Sequence, residues 1–330
     1  MRVAVIGPGR IGKHHAKWFA AEGAEVIALC CSRPETAADR RRECGDLFGY
    51  SGPVFADPAA MLSETRPDAV SIASPPSWHA RHIEAALNEG CHVLCEKPLY
   101  WDPALPLVDC LATARRLVER ADRDLLELCV MTQYVALVPI LTEIGEMAIG
   151  RRTGIWSFGM RMESKPQVAP SRREGILIDL GPHPLALVQG LLRCARMVES
   201  SLEVSVEENR CKAAFDCSAL SELPNDAPHQ CSVSIVVGKS QAPVREIEVN
   251  GLRVVYEGRN DENGVFSAYL RVGDNEAKCE DPMRLTVRHF LQRVSAGVPG
   301  HIAAGRSALA ALDMLFRIIR AGTREPLLVG

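Results

Sequence analysis

The sequence is marked first by what it lacks. No apolar run in its 330 residues approaches the ~20 needed to cross a bilayer. Charge of one sign is also missing: 38 Lys and Arg face 41 Asp and Glu, a net charge of -3. That balance gives no electrostatic basis for nucleic acid or a membrane as partner. The N-terminus passes directly into "RVAVIG" without the charged, apolar and small-residue succession of a signal peptide. A cytoplasmic protein is therefore expected. The chain has 12 cysteines but no C-x-x-C pair. Cys30, Cys91, Cys95, Cys129 and Cys231 fall in or beside strand-like apolar runs, where a reduced thiol packs as a small hydrophobe. In "CHVLC" (91–95), strand alternation would split Cys91, His92 and Cys95 between two faces, so no metal site is expected. Disulfides are not expected in a reducing compartment. Internal repeats and low-complexity tracts are absent.

What remains has the balance of an ordinary soluble globular protein, 47% hydrophobic and 24% charged. A chain of this length is expected to form two domains. Residues 1–130 alternate short apolar runs with helical patterns, as a parallel sheet wrapped by helices does. Strands are expected over 2–6, 25–31, 68–74, 92–96 and 125–131, with helices near 10–22, 34–44, 57–64, 77–89 and 103–121. Asp57-Pro58 and Asp102-Pro103 each read as a helix N-cap followed by a first-turn proline. Residues 131–330 differ in texture. Runs at 153–162, 202–208, 231–237 and 245–258 alternate or carry β-branched residues, which predicts a mostly antiparallel open sheet. Asn250-Gly251 between two such runs predicts a type I′ hairpin. Amphipathic helices are expected near 283–296 and 303–321, packing on the rest of the protein and in part on the first domain.

"GPGRIG" (7–12) places Gly7, Gly9 and Gly12 directly after a strand and at the start of a helix. The first glycine permits a tight turn, the second admits a pyrophosphate to the backbone, and the third lets helix sit close to strand. Gly7, Pro8, Gly9, Arg10, Ile11 and Gly12 are therefore candidate cofactor residues. After the second strand, "CCSRPET" has no acid from Cys30 to Arg33 to hold a ribose 2′-hydroxyl. Ser32 and Arg33 suit a 2′-phosphate instead, so NADP(H) is favoured over NAD(H). The "DRRR" run (39–42) reads as a solvated helix face. Lys97 in "CEKPLY" lies at the carboxyl end of a parallel strand, where it can pass a proton to a reacting oxygen.

Four motifs, "GPGRIG", "SPPSWHA" (74–80), "EKP" (96–98) and "GILIDLGPHP" (175–184), occur in the order seen in the Gfo/Idh/MocA family of glucose-fructose oxidoreductase and inositol dehydrogenase relatives, which this chain resembles. The resemblance implies an N-terminal Rossmann domain and an α+β second domain. It also implies NAD(P)-dependent hydride transfer to or from an alcohol or carbonyl of a sugar, polyol or related metabolite. By the same resemblance Lys97, Asp179 and His183 are the catalytic candidates. Ser74, Pro75, His79, Glu96, Lys97 and Gln133 are assigned to the surroundings of the cofactor. A homodimer or homotetramer is implied, and no metal. Pro182 is placed to start a helix with His183 in its first turn, where the positive helix end disfavours an imidazolium. Arg161, Lys165, Arg172 and Arg173 read as a solvated basic loop, with a substrate carboxylate or phosphate as the alternative use. Two other readings stand beside the reductase: a glycosidase using NAD transiently, and a non-catalytic NADP-binding sensor.

Overall fold

The computed structural model describes residues 1–147, 155–166, 173–192, 195–219, 229–262, 265–298 and 300–323. The chain divides into two compact units. One holds Met1–Ala136 with Pro282–Leu309, the other Leu137–Asp281 with Ala310–Gly330.

In the first unit the chain runs β1 (Arg2–Ile6), α1 (Gly12–Ala21), β2 (Glu25–Cys30), α2 (Ala37–Phe48), β3 (Val54–Phe55), α3 (Pro58–Thr65), β4 (Ala69–Ile72), α4 (Pro76–Asn88), β5 (His92–Glu96), α5 (Leu107–Arg123) and β6 (Leu128–Met131). In the second it runs α6 (Val138–Met147), β7 (Ser157–Ser164), α7 (Arg173–Leu180), α8 (Pro182–Leu191), β8 (Arg196–Met197), β9 (Glu203–Glu207), β10 (Arg210–Ala219), β11 (His229–Lys239), β12 (Val244–Val249), β13 (Leu252–Asn260), β14 (Phe266–Val272) and β15 (Asn275–Cys279). Then α9 (Pro282–Ala296) and β16 (Ala303–Ala304) belong to the first unit, while α10 (Gly305–Gly322) begins in the first and continues in the second.

The first unit is built on a seven-stranded sheet of order β16-β6-β5-β4-β1-β2-β3, parallel except for β16. β4 and β6 are buried at every residue, as expected of strands covered on both faces. The strand order reverses between β1 and β4, the point where an open α/β sheet leaves a crevice at its carboxyl edge. α9 packs on α1, with Phe19 and Phe290 edge-to-face at 6.0 Å. Glu22 accepts from Arg284 at 2.5 Å and from Arg288 at 2.8 Å. Burial alone would raise the Glu22 carboxyl, but its hydrogen bonds to Arg288 and Arg284 outweigh this and hold it below the usual range.

The second unit carries a nine-stranded sheet, β15-β14-β13-β12-β7-β11-β10-β8 with β9 paired to β10. It is mostly antiparallel; β7 and β11 run parallel. Phe158, Met160 and Met162 face inward along β7, while Ser157, Gly159, Arg161 and Glu163 take the alternate positions. Leu177, Leu185, Leu315 and Ile318 from α7, α8 and α10 meet Ala213, Ile235 and Val237 on the inner face. At the hairpin, Asn250 and Gly251 both have positive φ (51° and 83°), the type I′ signature. Asn250 also accepts from the N–H groups of Trp156 (3.0 Å) and Ser157 (3.3 Å) and donates to Gly145 O (3.3 Å).

Several expected boundaries move. Asp57 caps α3 as anticipated, accepting from Ala59 N at 3.1 Å. Asp102 makes the same bond to Ala104 N at 2.9 Å, yet only a turn follows, and α5 begins at Leu107 after Pro106. An aspartate two residues upstream of an N–H closes a turn as readily as it caps a helix. The run 125–131 yields a strand only from Leu128, because Leu125 takes a positive φ of 56° in the turn that ends α5. In the second sheet, β7 covers 157–164 rather than 153–162, whose first two residues lie outside the described ones.

Candidate active site

At the switch point of the first sheet, α1 follows β1 through a turn in which Gly7 has φ +83°. A Cβ at Gly7 would lie 2.7 Å from Ala73 O, and one at Gly12 would lie 2.1 Å from Gly7 O. These two glycines serve the fold, since backbone meets backbone there. Gly9 differs: a Cβ there would meet nothing within 4 Å. Its missing side chain leaves room for something other than this chain, which is what a dinucleotide phosphate needs. No side chain caps the N-terminus of α1, and no acid lies in its first turn, so an anion is favoured there.

A cavity of about 660 Å³ opens beside that turn. Gly7, Pro8 and Gly9 form its floor, Ser32 and Arg33 one wall, and Ser74 and Pro75 another. Seven cofactor candidates from three chain segments thus share one space. Thr36 and Arg40 continue the Arg33 side, and Trp78, Arg81 and His82 continue the side of α4. Trp78 and His82 stack at 6.0 Å, and the Arg81 guanidinium sits 5.5 Å from the Trp78 ring. His82 also bonds Ser74 Oγ through Nδ1 at 2.9 Å, and burial with the nearby His79 and Arg81 pushes its imidazole down to about 4. Asp57 is the one carboxylate on the cavity, with Oδ1 occupied by the α3 cap. Three guanidinium groups, Arg33, Arg40 and Arg81, against the one carboxylate of Asp57 leave the cavity lining net positive.

Arg10 and Ile11 are exposed and, with Gly12, lie off the cavity lining. Within the "DRRR" run, Arg41 bonds Ser51 O and Arg42 pairs with Asp39 at 2.7 Å, both on the solvent side. Arg40 departs from the solvated-face expectation, being half-buried on the cavity wall and paired with Glu43 at 2.8 Å.

Lys97 and Gln133 follow the carboxyl ends of β5 and β6, on the same sheet edge as Gly7, Ser32 and Ser74. Both are half-buried. His79 is fully buried, with Nδ1 at 2.9 Å from Pro98 O and Nε2 at 2.8 Å from Ser74 O. The ring therefore lies between the loop of Ser74 and the loop of Lys97, donating to one of the two carbonyls when neutral, so it faces protein rather than the cavity. Burial lowers the affinity of His79 for a proton.

Glu96 exposes a connection that the sequence reading passed over. Its Oε1 is 3.0 Å from His15 Nε2, and His15 Nδ1 is 2.9 Å from Ser71 Oγ. Its Oε2 accepts from the backbone N–H of Lys97 at 3.2 Å. His15 and Ser71 are both completely buried. The available signal was the second histidine of "GKHH", one turn into the motif helix and facing inward by period.

In the second unit Asp179 lies near the end of α7, and His183 is the second residue of α8, directly after Pro182. Both are half-buried while their neighbours Ile178, Leu180, Leu185 and Leu187 are core. Arg161 lies on the outer face of the sheet, opposite the face against which α7 and α8 pack, and donates to Glu163 at 2.9 Å. Strand alternation dictates this: the inward Met160 and Met162 leave Arg161 pointing away. Lys165 is exposed; Arg172 and the side chain of Arg173 lie outside the described residues. Among the described residues no group of three or more His, Cys, Asp or Glu forms a metal-binding cluster. In "CHVLC", His92 Nδ1 accepts from Glu127 N at 3.0 Å, and the Cys91 thiol donates to Pro67 O at 3.2 Å.

Comparison with known proteins agrees with this geometry. Residues 1–124 match the model of the Gfo/Idh/MocA oxidoreductase family, NAD-binding Rossmann fold. D-glucoside 3-dehydrogenase of Escherichia coli K12 is 33% identical over 193 residues, covering 56% of this chain and 52% of that protein. Myo-inositol 2-dehydrogenase of Thermotoga maritima is 34% identical over 101 residues, 30% of this chain and 28% of that one. The matched stretch thus spans about half or less of these curated relatives. Among solved structures, a 3-ketoreductase from Actinomadura kijaniata in complex with TDP-benzene and NADP superposes with TM-score 0.67 at 21% identity, covering 97% of each chain. Scyllo-inositol dehydrogenase from Lactobacillus casei, with NAD(H) and scyllo-inositol, gives 0.69 at 16% identity over 97% of this chain and 96% of that one. These likenesses establish the two-part fold. Residues 1–124 are thus similar to the NAD-binding Rossmann part of the Gfo/Idh/MocA oxidoreductase family.

Proposed function

We propose that the protein is an NAD(P)-dependent oxidoreductase, using NADP(H) in preference to NAD(H), that acts on an alcohol or carbonyl of a sugar, polyol or related metabolite. The observation that carries the reading is the cavity at the switch point, where Gly9 leaves space the protein does not fill and Ser32 and Arg33 replace the usual acid. The residues fit the cofactor: Gly7, Pro8 and Gly9 would hold the pyrophosphate, and Ser32 with Arg33 the 2′-phosphate, with Arg40 and Arg81 on the same cavity. The bound nicotinamide supplies hydride exchange; the protein supplies one proton and the alignment. Lys97 takes the proton-transfer role at the reacting oxygen, and Asp179 and His183 are the assigned substrate-holding and acid/base pair. The relatives' names support a sugar or polyol as substrate class. Assembly as a homodimer or homotetramer and a cytoplasmic location complete the proposal.

Calorimetric titration with NADPH and NADH, followed by a carbonyl and polyol screen with the tighter cofactor, tests it. NADPH should bind at least tenfold more tightly. Lys97→Ala and His183→Ala should each lower turnover ~10²–10⁴-fold with NADPH affinity within about threefold of wild type. Equal turnover in both variants, or tighter binding of NADH, overturns the respective part.

A further inference from the structure

Three polar side chains from three separate elements meet next to the Lys97 backbone: the fully buried Ser71 on β4 and His15 on α1, and the half-buried Glu96 at the end of β5. None is among the residues that line the cavity. His15 stands 3.0 Å from the Glu96 carboxyl, with His79 and Lys97 also near enough to act on it. A carboxylate with most of its surface withdrawn from water is costly unless its oxygens are met by donors. Here both are: Oε1 by His15 Nε2–H and Oε2 by the Lys97 N–H. The Ser71 hydroxyl can donate to Nδ1 of a neutral His15 or accept from a charged one, so either ring state leaves no polar atom of the chain unmet.

We infer that His15, oriented by Ser71, is a positioning residue that keeps Glu96 bonded to the Lys97 backbone, and through it sets the placement and reactivity of the Lys97 side chain. This deepens the oxidoreductase reading, since it matters for turnover only if Lys97 transfers the proton there. The direction of the Glu96 shift agrees. Burial raises the carboxyl, but the His15 hydrogen bond, with the charges of His15, Lys97 and His79, outweighs it and holds the group below the ordinary carboxylate range. A purely structural tie would hold β5 against α1 without any electrical effect on the lysine.

The test needs no substrate. With ¹³Cδ-glutamate labelling and assignment by Glu96→Gln, the wild-type Glu96 carboxyl signal should stay ionised from pH 5 to 9. In His15→Phe, which fills the space but donates nothing, it should titrate with a midpoint inside that window. His15→Gln, which restores a donor, should return it to the wild-type pattern. Competitive acetylation by acetic anhydride, read at the Lys97 peptide by mass spectrometry at pH 6.5, gives the second arm. Labelling should rise at least threefold in Glu96→Gln and in His15→Phe, with no further rise in the double variant. A Glu96 signal that titrates above pH 5 in the wild type overturns the inference even if His15→Phe does not fold. So does Lys97 labelling unmoved by either variant, or additive in the double. Absence of dinucleotide binding would defeat the oxidoreductase reading while leaving these measurements to decide the network separately.

Discussion

The two sheets solve the same burial problem differently, and the difference tells where each unit has residues to spare. In the parallel sheet the central strands are apolar on both faces, so chemistry is confined to their carboxyl ends. Of the polar groups buried inside, His15 meets Ser71 and Glu96 and His79 lies between two backbone carbonyls, while the Thr132 hydroxyl has no partner. The antiparallel sheet buries one face only. Its other face carries Ser157, Arg161, Asp216, Ser232, Glu246, Glu248 and Arg253 around an open cavity of about 540 Å³. There the charges are held by pairs such as Arg253–Glu246 and Arg259–Glu276, which water screens.

The largest effect that sharpens this contrast is expected within the glycine turn itself. Gly12→Val drives a side chain into Gly7 O and should abolish the native fold, read as loss of the cooperative melt. Gly9→Val, two positions from one glycine and three from the other, should melt within a few degrees of wild type yet bind NADPH at least 100-fold more weakly. Equal behaviour of the two variants would break the division between fold-serving and ligand-serving glycines. Arg33→Ala comes next: NADPH affinity should fall ~10–100-fold, the worth of a charge-assisted hydrogen bond of ~1.5–3 kcal/mol, with NADH affinity little changed. Isothermal titration with both cofactors decides it.

Smaller still is Glu22→Gln, expected to cost ~1–2 kcal/mol at neutral pH. Because the folded-state carboxyl is depressed, its contribution is present above the unfolded value near 4.5 and is lost as pH falls through the folded one. Melts of wild type and variant should therefore converge on acidification below pH 4.5 and separate above it. Arg253→Ala, from the screened face, should cost under ~1 kcal/mol at any pH and less in added salt. A larger loss would show that the outer face is not as interchangeable as its ion pairs suggest.

Sequence period disclosed the first unit almost whole because its strands are uninterrupted apolar runs and its helices carry clear stripes. β10 escaped notice. Its inward positions are Cys211, Ala213, Phe215 and Cys217, mostly small, and Lys212 and Asp216 between them dilute the pattern. β15, an exposed edge strand of sequence NEAKC, has no apolar alternation to detect. At the candidate site, Gly7, Gly9, Ser32, Arg33 and Ser74 were visible because each follows a strand directly, where local rules reach. Arg40, Arg81 and the partnership of His15 with Glu96 were not, since their meeting depends on which strands lie side by side, a relation no short window contains.

Asn250 shows what a single amide can carry. The hairpin turn alone would accept Asn, Asp or Gly at that place. Two strand-entry N–H groups need an acceptor and the Gly145 carbonyl needs a donor, which only the carboxamide supplies together. A glycine there would still turn the chain but would leave the start of β7 and the end of α6 unfastened, and an aspartate would set its charge against a carbonyl. The most generic turn residue in the protein is, for this reason, among its least replaceable.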